Sequence, residues 1–248
     1  MSQDALQAGK HVYLEKPMAL STETARTLVS LATTHNRVLM VGHILNYHPA
    51  FVALKEHLPE LGPLKHIYAN RLGLGRFREH EGVLWDLSCH DVSLILALAQ
   101  TMPTHIHAVG QAYLIPHKPM AALLTLSFLS GLTAHVQASW VSPFKEQKLV
   151  VIGGEGIAVF DDRKPWAEKL QISLNCFAWK DGHPHANESF QTRSIPLPEN
   201  EPLKAECLHF LTCIQEGKTP LTSGQEGLRV VEVLEKAENT MHNFSVSS

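Results

Sequence analysis

Apolar and polar positions change period along this chain, and the change divides it in two. Up to about residue 58 the pattern alternates between helix and strand. Asp4 to Ala8 reads as the end of a helix, with Gly9 as the left-handed residue that helices favour just past their C-terminus. His11 to Leu14 is a short apolar run broken by Pro17. Ser21 is a candidate N-cap, after which Ala25, Leu28, Val29 and Ala32 fall on one helical face. Arg37 to Val41 is a second run of strand length, closed by Gly42, and Pro49 opens another helix, Ala50 to Leu58. Strands alternating with amphipathic helices predict βαβ units and a parallel sheet. Only two such strands are visible, too few for a parallel sheet buried on both faces.

From about Gly62 the period shortens. Leu64 to Leu74 alternates, a basic glycine-rich loop (GLGRFREHEG) follows, and Asp86 to Gln100 reads as the clearest helix of the chain. Strand-like runs come next: His105 to Ile115, Ala121 to Leu129, Thr133 to Val141, Lys148 to Ile152, Ile157 to Asp161 and Leu170 to Ala178. Turn residues separate them, which predicts an antiparallel meander preceded by one βαβ crossover. Two helices, Leu203 to Glu216 and Glu226 to His242, close the chain. The expected architecture is α/β plus α+β: a remnant of a Rossmann-type parallel sheet over residues 1–58, then a domain with an open, mainly antiparallel sheet over 59–248. The segment VVIGGEGIAVFDD imitates a dinucleotide-binding turn, but β-branched residues rather than a helix follow its glycines, so it reads as a hairpin. No G-x-G-x-x-G occurs in the 248 residues.

Composition narrows the function classes. A formal net charge of −3 argues against a nucleic-acid-binding surface. No apolar run approaches a membrane span, and the first residues show neither the basic nor the apolar region of an export signal. Four cysteines without a C-x-x-C pair point to reduced thiols in a cytoplasm. The 16 histidines are scattered without ligand spacing, so no metal site is expected.

Two constellations carry candidate chemistry. Glu15-Lys16-Pro17 follows the first strand, at the end where ligands bind in open α/β sheets; a solvated loop lysine is the plainer alternative. Asp86 and His90 stand four apart at the head of the long helix, a spacing that lets a carboxylate orient an imidazole for acid/base work. Asp86 would equally serve the helix dipole alone. Arg71, Arg76 and Arg78, in the basic loop before the helix, would meet a diphosphate or carboxylate, or form a solvated positive surface.

HVYLEKPMALSTETARTLVSLA, VLMVGHILNYHPAFVALKE and GVLWDLSCHDVSLILAL together resemble the Gfo/Idh/MocA family of NAD(P)-dependent oxidoreductases. The resemblance runs essentially from end to end, and the WDLSCHD form is most similar to the branch acting on UDP-activated amino sugars. It implies that Lys16 lies near the nicotinamide and the reacting hydroxyl, that His90 is the general acid/base, and that Asp86 orients it. By the same resemblance Glu15, Lys16 and Pro17 contact NAD or NADP, and Arg71, Arg76 and Trp85 contact a sugar or UDP-sugar. Family members place a G-x-G-x-x-G turn and further βα units before the EKP motif. Here Lys16 stands sixteen residues from Met1, so the expectation is a chain truncated at its N-terminal side, or a miscalled start, that binds the dinucleotide weakly. Three more expectations follow: a Lys16–Pro17 bond in cis, Lys16 and His90 in one cleft, and a homodimer or homotetramer formed through the open sheet.

Overall fold

The computed structural model describes residues 1–75, 77–79, 81–187 and 189–241. Two parallel strands, β1 (Val12–Leu14) and β2 (Leu39–Val41), lie side by side in the register Val12↔Leu39, Tyr13↔Met40, Leu14↔Val41. After helix α1 (Ser2–Gln7), Gly9 takes a left-handed turn into β1, at φ +70°. Helix α2 (Thr22–Thr34) connects the two strands, as a parallel pair requires. Its start is set by Ser21, whose Oγ accepts a hydrogen bond from Thr24 N at 3.2 Å, and it buries Ala25, Leu28 and Ala32. Helix α3 (Pro49–His57) opens on its proline, with His48 Nδ1 accepting from Ala50 N at 3.1 Å.

The second sheet has eight strands. In spatial order they are β12 (Gln191–Ser194), β9 (Leu170–Leu174), β8 (Gly156–Asp161), β7 (Val141–Gly153), β3 (Leu64–Leu74), β6 (Thr133–Ser139), β5 (Ala121–Ser127) and β4 (His105–Gln111). Helix α4 (Cys89–Ala99) carries the chain from central β3 to the edge strand β4. The meander β4-β5-β6 returns to lie parallel to β3, and β7 pairs antiparallel on its other side. Thus the predicted meander exists, but β3 splits it. The glycine-rich segment after β7 is a hairpin, with Ile152 opposite Ile157.

Several boundaries differ from the sequence expectation, among them the start of β7, which lies at Val141 rather than Lys148. The run Leu170 to Ala178 breaks at Asn175, which is left-handed at φ +56°, and β10 (Phe177–Lys180) pairs separately with β11 (His183–Ala186). The turn between them is Asp181-Gly182, both at positive φ, as tight hairpins prefer. The long helix becomes α-helical only at Cys89, after a π-type turn over Leu84–Ser88.

Two further helices, α5 (Pro202–Glu216) and α6 (Gly224–Met241), cover the small sheet from opposite sides. Leu39 and Val41 face α6, whereas Tyr13 meets Phe210 of α5 with ring centroids 5.9 Å apart. Gly227 permits the close approach of α6, since a Cβ there would stand 2.5 Å from Val41 Cγ2. On its other flank α6 packs against β4 and α4, so one continuous core runs from Leu6 to Met241.

The large sheet buries one face, with Ile67, Ala69, Leu124, Leu126, Ala134 and Val136 turned inward. Alternate residues on the other face, including Tyr68, Val109, Leu123 and His135, are open. No helix among the described residues is long and apolar enough to cross a membrane.

Candidate active site

Strands β1 and β2 end together, with Gly42 N donating to Leu14 O at 2.8 Å, and their carboxyl ends carry Lys16 and His43. The Lys16–Pro17 peptide is cis. The Lys16 ammonium donates to the carbonyl oxygen of Asp86 at 2.7 Å and to its Oδ1 at 3.4 Å. Arg78 Nε also donates to Oδ1, at 3.2 Å, and the buried indole of Trp140 donates to Oδ2 at 3.1 Å.

The Asp86 carboxylate is therefore taken by two cations and an indole. This corrects the expectation that it orients His90, whose Nδ1 is buried without a hydrogen-bond partner. Both carboxylate oxygens are already occupied, Oδ1 by Lys16 and Arg78 and Oδ2 by the Trp140 indole. Burial holds the His90 pKa well below the usual histidine range, and the charges of Arg71 and Lys16 and the neighbouring titratable ring of His43 push the same way. The ring is therefore neutral, with one nitrogen free to accept a proton.

Arg71 is not on the basic loop. It extends from β3, where Nε and Nη2 donate to Asp91 Oδ2 and Oδ1, each at 2.8 Å, in a nearly buried bidentate pair. Its charge reaches the His90 ring, but the fork that would hold a diphosphate is engaged by Asp91. Trp85 is likewise displaced from its expected role: it packs in the core with 2% of its surface exposed, because the turn over Leu84–Ser88 points it inward. Arg76 lies outside the described residues. Glu15 is exposed beside Lys16. Burial pushes the Cys89 thiol up to about 12, so it is no nucleophile.

Two site residues escaped the sequence reading. Trp140 gave no signal, because only folding brings β6's end to Asp86. His43 did have one, since it directly follows a strand and Gly42, the same position that singled out Lys16. It is 2% exposed, neither ring nitrogen has a partner, and burial with the Lys16 charge lowers its pKa to about 4. Among the described residues no cluster of three or more His, Cys, Asp or Glu side chains could hold a metal ion.

An eight-stranded open sheet joined to parallel strands that end on a lysine, facing a helix-borne histidine, is the arrangement of a two-part oxidoreductase. Comparison with known proteins agrees. A model described as the Gfo/Idh/MocA C-terminal domain matches residues 67–159, and one described as the oxidoreductase family, NAD-binding Rossmann fold, matches residues 1–43. The chain belongs to the Gfo/Idh/MocA family of oxidoreductases.

Among its relatives is the UDP-N-acetylglucosamine 3-dehydrogenase of Acidithiobacillus ferrooxidans, 29% identical over 92% of this chain and 70% of the relative. Another is the scyllo-inositol 2-dehydrogenase (NAD(+)) of Bacillus subtilis, 27% identical over 96% and 70%. A solved structure of the Acidithiobacillus enzyme superposes with a TM-score of 0.86 at 27% identity, covering 98% of this chain and 75% of that one. A putative oxidoreductase from Magnetospirillum magnetotacticum MS-1 gives 0.81 at 27% identity, over 95% and 75%.

Proposed function

We propose that this protein oxidises a hydroxyl carbon of a sugar, carried on a nucleotide diphosphate, with hydride passing to NAD or NADP. The observation that carries this reading is the placement of Lys16 on the turn that leads to His90, at the carboxyl ends of two parallel strands. The Acidithiobacillus relative supports the nucleotide-linked substrate through its name alone.

In this reading His90 takes the hydroxyl proton and the Lys16 ammonium stabilises the developing alkoxide. Asp86 positions Lys16, with Trp140 and Arg78 fixing the carboxylate in turn. Arg78, half-exposed at the mouth, is the cation available to a substrate phosphate. The carboxyl ends of β1 and β2, with the exposed Glu15 and the Lys16 ammonium, fit the nicotinamide end of the cofactor, which Glu15, Lys16 and Pro17 would hold. The bound dinucleotide supplies hydride acceptance. Residues 1–58 then serve the cofactor and 59–248 the substrate and self-association.

One observation favours a second reading. The 248 residues hold no G-x-G-x-x-G turn, so the amides that grip a pyrophosphate are not among them. In that reading the chain keeps a substrate and assembly domain without dinucleotide binding. Calorimetric titration with UDP-N-acetylglucosamine, NAD and NADP separates the two, followed by assay of reduced nicotinamide. We expect the UDP-sugar to bind, NAD(P) to bind weakly, and slow turnover at high cofactor that falls by ~10²-fold or more in His90→Asn. Sugar binding without any hydride transfer would establish the second reading. No sugar binding would overturn both.

A further inference from the structure

With Asp86 committed to Lys16, Arg78 and Trp140, the ring that the dehydrogenase reading uses as base has no visible orienting group. An imidazole left free to rotate or exchange tautomers is a poor base, because only one nitrogen can meet the hydroxyl. A buried polar nitrogen without a partner is also unfavourable, so the unpaired nitrogens of His90 (Nδ1) and His43 call for a common explanation.

The segments that carry the two rings are tied together by hydrogen bonds on either side of His90. Lys16, from the end of β1, is bonded to Asp86, four residues before His90. Asn46, from the turn after β2, donates from Nδ2 to Ser93 Oγ at 2.7 Å, three residues after His90. The same Nδ2 reaches the carbonyl oxygen of His43 at 3.4 Å. Asn46 thus ties the backbone that carries His43 to the helix that carries His90. His43 has both nitrogens buried and unpartnered, and His90 has Nδ1 in the same condition.

We propose that His43 is the positioning residue for His90, joined to its Nδ1 across one bridging water. A water with two to four polar partners is the ordinary way in which such buried nitrogens are satisfied. Held in this way, His90 keeps its proton on Nδ1 and presents Nε2 as the acceptor. When the substrate O–H bond breaks, the proton goes to Nε2, the carbon's hydride goes to the oxidised nicotinamide dinucleotide, and the Nδ1–H bond to the water spreads the imidazolium charge towards His43. Burial, the charges of Arg71 from β3 and Lys16 from the end of β1, and the neighbouring titratable ring of His43 all oppose protonation of His90, so the hydrogen bond is what sustains it. The catalytic use of the pair rests on the dehydrogenase reading, but the pairing does not.

Nitrogen NMR of the full chain, labelled at histidine, tests the pairing without substrate or cofactor. We expect a single Nδ1–H tautomer for His90 in the unaltered protein near pH 7. In His43→Leu we expect a tautomer mixture and a roughly tenfold weaker proton affinity of the His90 ring, read from its titration. In His43→Gln, whose amide can hold the same water, we expect the single tautomer to return. A tautomer mixture in the unaltered chain overturns the proposal with no variant needed. So does a folded His43→Leu protein whose His90 tautomer and titration are unchanged, or whose proton affinity rises because only a repulsive neighbour was removed. Failure of the dehydrogenase reading shows separately, in the sugar and cofactor titrations.

Discussion

A carboxyl group with no accessible surface sits on α5. Glu206 accepts a hydrogen bond from the Tyr13 hydroxyl at 2.8 Å through Oε2, while Oε1 has no partner. Burial pushes its pKa up to about 7; the Tyr13 bond opposes this and the Glu15 charge adds to it. The unfolded value is near 4.3. The folded state therefore holds the proton more tightly, and stability is lost as pH rises from that value through about 7. Glu206→Gln keeps an acceptor for Tyr13 and cannot ionise. It should unfold at a higher temperature than the parent at pH 8, by ~1–3 kcal/mol on linkage, with the gain fading at pH 5. Equal gains at both pH values would show that Glu206 is not protonated in the fold. Asp91 makes the opposite case. Removing its charge with Asp91→Asn leaves the Arg71 guanidinium buried and unpaired, and should cost ~3–5 kcal/mol in denaturant unfolding. An unchanged midpoint would mean that the pair is looser than its two 2.8 Å bonds describe.

At the scale of elements, the question is why a parallel sheet of two strands holds. The answer is the seating of α6 on β2 and of α5 on β1, elements about 180 residues apart along the chain. Gly224 and Gly227 mark the closest approach, where Cβ atoms would meet Leu39 Cδ2 at 2.6 Å and Val41 Cγ2 at 2.5 Å. Val41 is β-branched and fully buried, so it cannot swing aside. Gly227→Ala should lower stability by ~1–3 kcal/mol, because overpacking outweighs the helix propensity gained. Thermal unfolding measures it, and a more stable variant would show that α6 can slide. The boundary of α4 was less legible: the Asp86–His90 spacing announced a regular helix from Asp86, but a π-type turn runs to Ser88 and hands Asp86 to the strand ends.

For the whole molecule, the open face of the large sheet is the main unspent surface. Val109, Leu123 and Tyr68, on β4, β5 and β3, are 40%, 44% and 37% exposed on the side that no helix among the described residues covers. Sheets bury such faces by packing on another layer. We expect a second copy to supply it, giving a homodimer or a homotetramer in sedimentation at micromolar concentration, and Leu123→Glu to dissociate it with the monomer still folded. A stable monomer of the parent would contradict this. The same face carries His66 and His135, with ring centroids 4.9 Å apart.

Local pattern determined most of the elements in this protein, because each is encoded by neighbours: Ser21 caps α2, Pro49 opens α3, Gly217 ends α5, and alternate burial of Ile67 and Ala69 marks the middle of β3. It also brought out Lys16, Asp86 and His90, since strand ends and helix starts are where side chains can meet a ligand. Tertiary structure decided who partners whom. Asp86 has two oxygens and several donors in reach, and which of them win depends on where β1, β6 and the basic loop arrive, distances that no spacing in the sequence fixes. For the same reason Arg71 went to Asp91, Trp85 to the core and Trp140 to the site. Side-chain chemistry is written residue by residue, but hydrogen-bond competition is settled only when segments far apart in the chain share one small volume.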